Sequence, residues 1–221
     1  MALTERPLLI AHRYGNHLDQ LAPASDAGAH IIEIDVWFHR DRLEVGHDKT
    51  LGPIPLRWDR WSLALGHQRE LVVANVLPEL PDHVQPMFDL KGRDPRLPDA
   101  LKQVIADQFV GRPYTVSSQN WGYLDQFLDA EGAHVIRSVG STAALDLMRA
   151  ELDAWTGAGI GLDVDLLSPR VIEELGAGTP LIVTWTVNDL AEANTLLRQG
   201  VGGIITDSLD VIRGLRGGGA A

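Results

Sequence analysis

Acidic residues two positions apart inside apolar segments are the first sign of chemistry in this sequence. Glu33 and Asp35 interrupt one apolar run, and Asp163 and Asp165 interrupt another. Residues two apart on an extended strand point to the same face. A buried pair of carboxylates is unfavourable, because like charges repel and burial penalises both anions. Each pair therefore needs a cation, a shared proton or an exit from the core.

A third apolar segment, Met87–Lys91, carries Asp89 and Lys91 on one face in the same way. If these segments are neighbouring strands, Glu33, Asp35 and Asp89 converge at one end of the sheet. Three carboxylates offer only oxygen ligands, which suit Mg²⁺ or Ca²⁺ and also accept Mn²⁺. From spacing alone, the alternative is that these carboxylates face outward and pair with arginine or lysine.

Two of the eight histidines stand in positions that favour catalysis. His12 ends the apolar run Leu8–Ala11 and immediately precedes Arg13, and His47 lies in the polar turn sequence 45–48. Imidazole changes charge near neutral pH, so two such rings can act as general base and general acid. The remaining histidines are interpreted as surface or structural residues.

Other polar residues follow strand-like segments and are weaker candidates. Ser117 and Gln119 stand at the end of one of these segments, and Asp207 ends the last of them. We interpret each either as a substrate contact or as a capping or packing group.

The segments that carry these groups alternate with segments of helical spacing. Strands are predicted at Pro7–Arg13, His30–Val36, Gln85–Lys91, Tyr114–Gln119, Ala133–Gly140, Gly159–Asp165, Pro180–Asn188 and Gly202–Asp207. Helices are predicted at 18–29, 96–109, 121–130, 141–150, 168–177, 189–199 and 208–215, with Ser141, Ser168 and Asp189 as N-caps. This α/β alternation with eight strands predicts a (β/α)8 TIM barrel, with an open doubly wound sheet as the alternative. Active sites of such barrels lie at the carboxyl ends of the strands.

One segment, 37–84, interrupts the alternation after the second strand. It opens with Phe38–Val45, which is typical of a strand, a polar turn and a second strand, and it continues with Trp58 and Trp61. These tryptophans either cover an apolar leaving group or pack the segment onto the barrel. We therefore predict a single barrel domain over 1–221 with a short insertion at the mouth.

Composition excludes several classes of protein. The chain has 221 residues, 45% of them hydrophobic and 22% charged, with no cysteine and a net charge of −11. The negative balance argues against nucleic-acid binding, and the lack of cysteine excludes disulfides and thiolate metal sites. No apolar run of about 18 residues is present, so no stable membrane insertion is expected. Since the N-terminal segment lacks a signal-peptide pattern, we expect a cytoplasmic protein. The oligomeric state cannot be inferred.

Seven short motifs, in order along the chain, carry a family resemblance. They are Ile10-Ala11-His12-Arg13, Ala27-Gly28-Ala29, Ile32-Glu33-Ile34-Asp35-Val36, Leu43–Asp48, Phe88-Asp89-Leu90-Lys91, Val183–Asn188 and Gly200–Asp207. In combination the sequence resembles the glycerophosphodiester phosphodiesterase family, within the phosphatidylinositol phospholipase C-like phosphodiesterase barrels.

The resemblance implies a barrel enzyme that hydrolyses a small-molecule phosphodiester with one divalent cation. By matching position, Glu33, Asp35 and Asp89 would hold the metal, and His12 and His47 would supply acid–base catalysis. The expected reaction yields glycerol phosphate and an alcohol. Two alternatives remain open: cleavage of lysophospholipids by a lysophospholipase D-like activity, and a non-catalytic barrel that keeps the site for binding.

The resemblance also suggests substrate contacts. Arg13 would bind a phosphoryl oxygen, Lys91 would add a second positive charge, and Trp185 would pack against the glycerol portion. Two departures from the family pattern lie nearby. Tyr14 stands where glycine is common, and a shortened loop leaves Asn16 to replace an amide that usually lies further along and contacts the substrate.

Overall fold

The computed structural model describes residues 7–47, 49–50, 56–59, 62–65 and 71–217, with backbone only in the three short ranges. The strands are β1 Leu8–Ala11, β2 Ile31–His39, β3 Arg42–Val45, β4 Lys49–Thr50, β5 Leu56–Asp59, β6 Ser62–Leu65, β7 Gln85–Leu90, β8 Tyr114–Ser118, β9 Ala133–Val139, β10 Gly159–Asp163, β11 Ile182–Trp185 and β12 Gly203–Thr206. The helices are α1 Leu18–Ala27, α2 Val73–Val76, α3 Leu97–Gln108, α4 Thr142–Glu151, α5 Pro169–Gly176, α6 Leu190–Arg198 and α7 Leu209–Gly217.

Eight parallel strands close into a barrel in the order β1, β2, β7, β8, β9, β10, β11 and β12. Closure depends on β1, which pairs with β12 on one side and with β2 on the other through Ile10–Ile31 and Ala11–Ile32. The predicted (β/α)8 barrel is confirmed, and the open sheet is excluded because β1 has a partner on both sides.

Alternating side chains divide the apolar core into two layers. One layer fills the barrel and contains Leu8, Ile10, Ile31, Met87, Ile136, Leu181, Val183 and Ile205. The other, larger layer lies between the strands and the surrounding helices. Since side chains alternate along a strand, the inward positions beyond these apolar residues fall at the carboxyl mouth of the barrel.

The three predicted helix caps are confirmed. Ser141, Ser168 and Asp189 each accept a hydrogen bond from the backbone N–H three residues later. Such bonds satisfy one of the free N–H groups of a helix's first turn. No helix in the described part of the chain is long and apolar enough to cross a membrane.

The helix predicted at 121–130 is present, but it is shorter than predicted and is not an α-helix. The segment Trp121–Phe127 forms a 3₁₀ helix, and no side chain caps its start. Leu124 and Phe127, both fully buried, are three residues apart and therefore lie above one another in a 3₁₀ helix. Both side chains belong to the core between the strands and the helices.

The start of the insertion forms the predicted strand–turn–strand unit. Strand β2 continues to His39 and pairs antiparallel with β3. The two turn residues, Arg40 and Asp41, both have positive φ angles, of 48° and 60°. This is the backbone of a two-residue type I′ hairpin, whose twist matches that of the flanking strands. The strand predicted at His30–Val36 is therefore continuous with the first strand of the unit predicted at Phe38–Val45.

The remainder of the insertion begins and ends beside strand β3. The backbone N–H of Val45 donates to the Leu71 carbonyl at 2.9 Å, and Glu44 pairs with Val72. Between these points β4, β5 and β6 form a separate antiparallel sheet. The side chains of Trp58 and Trp61 lie outside the described residues. Single-domain organisation stays a prediction.

Candidate active site

A cavity of about 1350 Å³ opens at the carboxyl end of the barrel strands. All the predicted site residues except Asp35 and Asn16 line it. The strands end earlier than predicted here: β1 stops at Ala11 and β11 at Trp185. The polar residues that follow belong to loops, where side chains do not have to alternate between the two faces of the sheet.

The predicted metal ligands come together. Glu33, Asp35 and Asp89 each offer a carboxylate oxygen, and these oxygens all lie within 4.8 Å of one another. Strands β2 and β7 are in register at Asp35 and Asp89, so the fold itself sets their proximity. Glu33 is 3% exposed and Asp35 is fully buried. The alternative of outward-facing carboxylates is therefore wrong for these two.

Backbone and amide groups fix the two buried carboxylates. The Arg13 backbone N–H donates to Glu33 Oε2 at 2.6 Å. The Asn16 amide donates to Asp35 Oδ2 at 2.7 Å and accepts from the Asp35 backbone N–H at 2.9 Å. Asn16 thus lies behind Asp35 and outside the cavity lining. Its predicted contact with substrate is replaced by a role in holding Asp35, because the shortened loop turns the amide toward β2.

The close approach of this loop to β2 requires a glycine. A Cβ atom on Gly15 would lie 2.3 Å from Ile34 Cγ1 and 2.9 Å from the Glu33 carbonyl oxygen. Both neighbours belong to a central, buried strand, so neither can move away easily.

We expect Gly15→Ala to destabilise the protein by about 1–3 kcal/mol, the usual cost of overpacking a core. Chemical denaturation should measure the loss. Gly122→Ala is the matched control, because a Cβ there meets nothing nearer than Asn120 Oδ1 at 3.7 Å. Equal stability of the two variants would contradict the packing argument.

Electrostatics differ sharply between the neighbouring carboxylates. Burial, with the charges of Asp35 and Asp89, raises the pKa of Glu33 well above its ordinary value. Burial also opposes ionisation of Asp35, but the Lys91 charge and a hydrogen bond from His47 outweigh it and hold the Asp35 pKa below its usual range. Asp35 is therefore an anion, and Glu33 binds a proton readily without a cation.

Lys91 provides the compensating charge. Its ammonium lies 2.9 Å from Asp35 Oδ1 and forms an ion pair with Asp89. Burial would lower the Lys91 pKa, but the carboxylates around it hold that pKa above its ordinary value. When Glu33 is ionised, three carboxylates and one ammonium leave two negative charges. This all-oxygen set with two unbalanced charges fits one divalent cation.

We expect Glu33→Gln to stabilise the metal-free protein and to remove its response to divalent cations. Because folding raises the Glu33 pKa, the folded state binds that proton more tightly than the unfolded state does. The free energy of unfolding therefore falls as the pH rises from the ordinary pKa of a glutamate toward the raised pKa, by about 1.4 kcal/mol per pH unit across that interval.

Thermal melts in EDTA at several pH values measure this effect. The Tm of the wild type should decline more steeply toward high pH than that of Glu33→Gln, and Mg²⁺ should raise only the wild-type Tm. Glu131→Gln, at an exposed residue, is the control. Parallel pH profiles for wild type and Glu33→Gln would contradict the assignment.

The two predicted histidines are each anchored to a carboxylate. His47 Nδ1 lies 3.2 Å from Asp35 Oδ2, and His12 Nδ1 lies 2.8 Å from Asp207 Oδ1. Both rings line the cavity. With Nδ1 engaged, the second ring nitrogen of each histidine is left for substrate. This arrangement can move protons on two sides of a bound molecule.

Two further predicted residues provide contacts for an anion and for an apolar group. Arg13 has a left-handed backbone, with φ of 64°, and its Nε is buried without a hydrogen-bond partner among the described residues. Such a donor beside the carboxylate cluster suits a phosphoryl oxygen. Trp185, at the end of β11, reaches into the cavity and is in register with Asp163 of β10.

The sequence did not predict the roles of two supporting residues. Ser117, predicted as a substrate or capping group, donates to Asp89 Oδ1 at 3.2 Å. Trp37 donates from its indole to the Gly46 carbonyl at 2.8 Å and so fixes the segment before His47. Because side chains alternate along β8, the sequence pattern could have indicated that Ser117 points into the barrel. Nothing in the sequence indicates the contact of Trp37, which depends on the hairpin.

Comparison with known proteins identifies the family. The model of the glycerophosphoryl diester phosphodiesterase family matches residues 90–211, more than half of the chain. No curated protein matches the sequence.

Solved structures share the fold over nearly the whole chain. A phosphodiesterase from Oleispira antarctica, in complex with the product sn-glycerol-3-phosphate, has 17% identity and a TM-score of 0.77, covering 97% of this chain and 99% of its own. A glycerophosphodiester phosphodiesterase from Parabacteroides distasonis has 20% identity and a TM-score of 0.77, covering 98% and 100%. One from Thermotoga maritima has 18% identity and a TM-score of 0.74, covering 96% and 99%. From the family match and this shared barrel, the chain belongs to the glycerophosphoryl diester phosphodiesterase family, whose members are phosphoric diester hydrolases.

Proposed function

We propose that this protein hydrolyses glycerophosphodiesters to glycerol phosphate and an alcohol, with one divalent cation and two histidines. The observation that supports this most is the cluster of Glu33, Asp35 and Asp89 beside two carboxylate-anchored imidazoles, His12 and His47. The glycerol phosphate product of the Oleispira relative is consistent with this substrate class.

The cation would be held by Glu33, Asp35 and Asp89. When bound, it supplies positive charge that offsets the negative charge developing on the phosphoryl oxygens. Mg²⁺, Ca²⁺ and Mn²⁺ all accept such ligands, and an activity assay with each ion identifies the one that supports turnover.

The chain's own residues supply the remaining functions. The Arg13 guanidinium and the Lys91 ammonium bind phosphoryl oxygens and orient the diester. One imidazole takes the proton of the attacking hydroxyl while the other protonates the departing alkoxide, and each such transfer is typically worth about 10²–10⁴-fold in rate. Trp185 packs against the glycerol portion and limits the poses in which the phosphorus lies between the two rings.

Activity toward glycerophosphocholine is the direct test of this proposal. The purified protein is treated with EDTA and dialysed. The release of glycerol phosphate is then measured without added cation and after addition of Mg²⁺, Ca²⁺ or Mn²⁺. We expect turnover only with added cation. Lysophosphatidylcholine is assayed in parallel under the same conditions.

The outcomes separate the competing functions. Cleavage of lysophosphatidylcholine alone would replace the substrate class with lysophospholipids. If neither diester were cleaved with any cation, the proposed activity would be contradicted and the non-catalytic alternative would be favoured.

A further inference from the structure

We propose that Asp207, held in place by Tyr14 and Asn188, is a positioning residue that fixes the ring and the proton of His12. The proposal rests on the function proposed above, in which His12 transfers a proton. Asp207 follows the last barrel strand, and its Oδ1 lies 2.8 Å from His12 Nδ1. The His12 side chain is only 12% exposed, so the ring has little room to turn away from this contact.

The polar groups of Asp207 are engaged in ways that fix its orientation. Its backbone N–H donates to Asn188 Oδ1 at 2.8 Å, and its carbonyl accepts from the Tyr14 hydroxyl at 2.9 Å. Asn188 Oδ1 also accepts from Thr206 Oγ1 at 2.9 Å, so the amide orientation of Asn188 is determined. The Asn188 Nδ2 group then faces Asp207 Oδ2 at 3.4 Å. Residues that follow β1 and β11 thus hold both the backbone and the carboxylate of Asp207.

This carboxylate decides which nitrogen of His12 carries the proton. The Asp207 carboxylate accepts the hydrogen bond from His12 at 2.8 Å. Burial opposes its ionisation, but the hydrogen bonds from His12 and Asn188 and the nearby positive charges together keep the Asp207 pKa below its ordinary value. An acceptor at Nδ1 requires a proton on Nδ1. The neutral ring therefore presents an unprotonated Nε2 to the cavity, and the protonated ring remains paired with a negative charge.

The partner of His47 differs in this respect. Asp35 accepts from His47 but also contacts Lys91 and the Asn16 amide, and it belongs to the carboxylate cluster. A change at Asp35 therefore alters several functions together. Asp207 lies outside that cluster, so its substitution affects His12 without removing a proposed metal ligand.

Asp207→Asn is a sharp test because the side chain keeps its size. Asn188 presents an N–H group toward the second oxygen of residue 207, so the new amide should turn its own oxygen to Asn188 and its NH₂ to His12. A donor at Nδ1 moves the ring proton of His12 to Nε2. We expect kcat to fall by about 10²–10⁴-fold, the scale of a lost or misprotonated acid–base group, with KM changed less than about threefold.

Further measurements distinguish positioning from a general loss of structure. Long-range proton–nitrogen NMR of the histidine rings, with His12 assigned from His12→Gln, should show the Nδ1-protonated form in the wild type and the Nε2-protonated form in Asp207→Asn. The rise in Tm on adding Mg²⁺ should be the same in both proteins. Tyr14→Phe, which loses only the bond to the Asp207 carbonyl, should lower kcat several-fold. Asp210→Asn, at an exposed residue on α7, is the control.

The results separate this proposal from the proposed function. An inactive wild type would contradict the function, while the NMR comparison would still decide the state of His12. An active wild type with unchanged kcat and unchanged ring protonation in Asp207→Asn would overturn the positioning role. So would a loss of activity that is matched by lower Tm and a raised KM.

Discussion

Asp35→Asn should lower kcat by about 10³-fold or more. The Asp35 carboxylate belongs to the cluster proposed to hold the cation, accepts from His47 and contacts Lys91. Loss of one electrostatic group in an active site typically costs about 10²–10³-fold, and misplacement of a general acid or base costs about 10²–10⁴-fold. Because one carboxylate serves both purposes, we expect the combined loss to reach at least about 10³-fold.

Steady-state kinetics on a glycerophosphodiester with excess Mg²⁺ measure this loss. Asp129→Asn, at an exposed aspartate away from the cavity, provides the control and should keep the wild-type kcat. Circular dichroism should confirm that the Asp35 variant is folded. A folded Asp35→Asn protein with more than about a tenth of the wild-type kcat would be inconsistent with this account.

Replacing either active-site histidine should cost nearly as much. We expect His12→Gln and His47→Gln each to reduce kcat by about 10²–10⁴-fold with small changes in KM, because each ring transfers a proton in the transition state. In each ring Nδ1 is held by a carboxylate, which leaves Nε2 for proton transfer. Glutamine fills a similar volume without exchanging a proton near neutral pH.

The pH dependence of kcat/KM tests the same assignment. Imidazole changes charge between about pH 5 and 8, so the wild-type profile should be bell-shaped, and each variant should lose one limb. His17→Gln is the matched control, because this exposed histidine lies in the same loop as His12. A flat wild-type profile, or equal activity of the control and either site variant, would exclude the two-histidine mechanism.

Much of the architecture can be predicted from the sequence because barrel strands leave a strong pattern. Apolar runs such as Leu8–Ala11 alternate with amphipathic helices that begin at capped positions such as Ser141 and Ser168. The pair Glu33 and Asp35 is conspicuous because two acids in a central strand are unfavourable without compensation. These features depend on local chemistry, which the sequence records directly.

The supporting contacts could not be predicted, because they join residues far apart in the chain. The sequence suggests a substrate contact for Asn16, yet its amide holds Asp35. The bond between His12 and Asp207 spans nearly the whole chain and exists only because β1 and β12 are neighbours in the closed barrel. Such roles depend on the direction of a side chain within a loop, which spacing does not determine.

The segment between His47 and Leu71 begins and ends on the same hairpin, since Val45 bonds to the Leu71 backbone and Glu44 pairs with Val72. A segment whose two ends meet on one hairpin can be exchanged for one of another length while β2 and β7 keep their register at Asp35 and Asp89. The distance between the two carboxylates is therefore independent of the length of the chain that joins their strands.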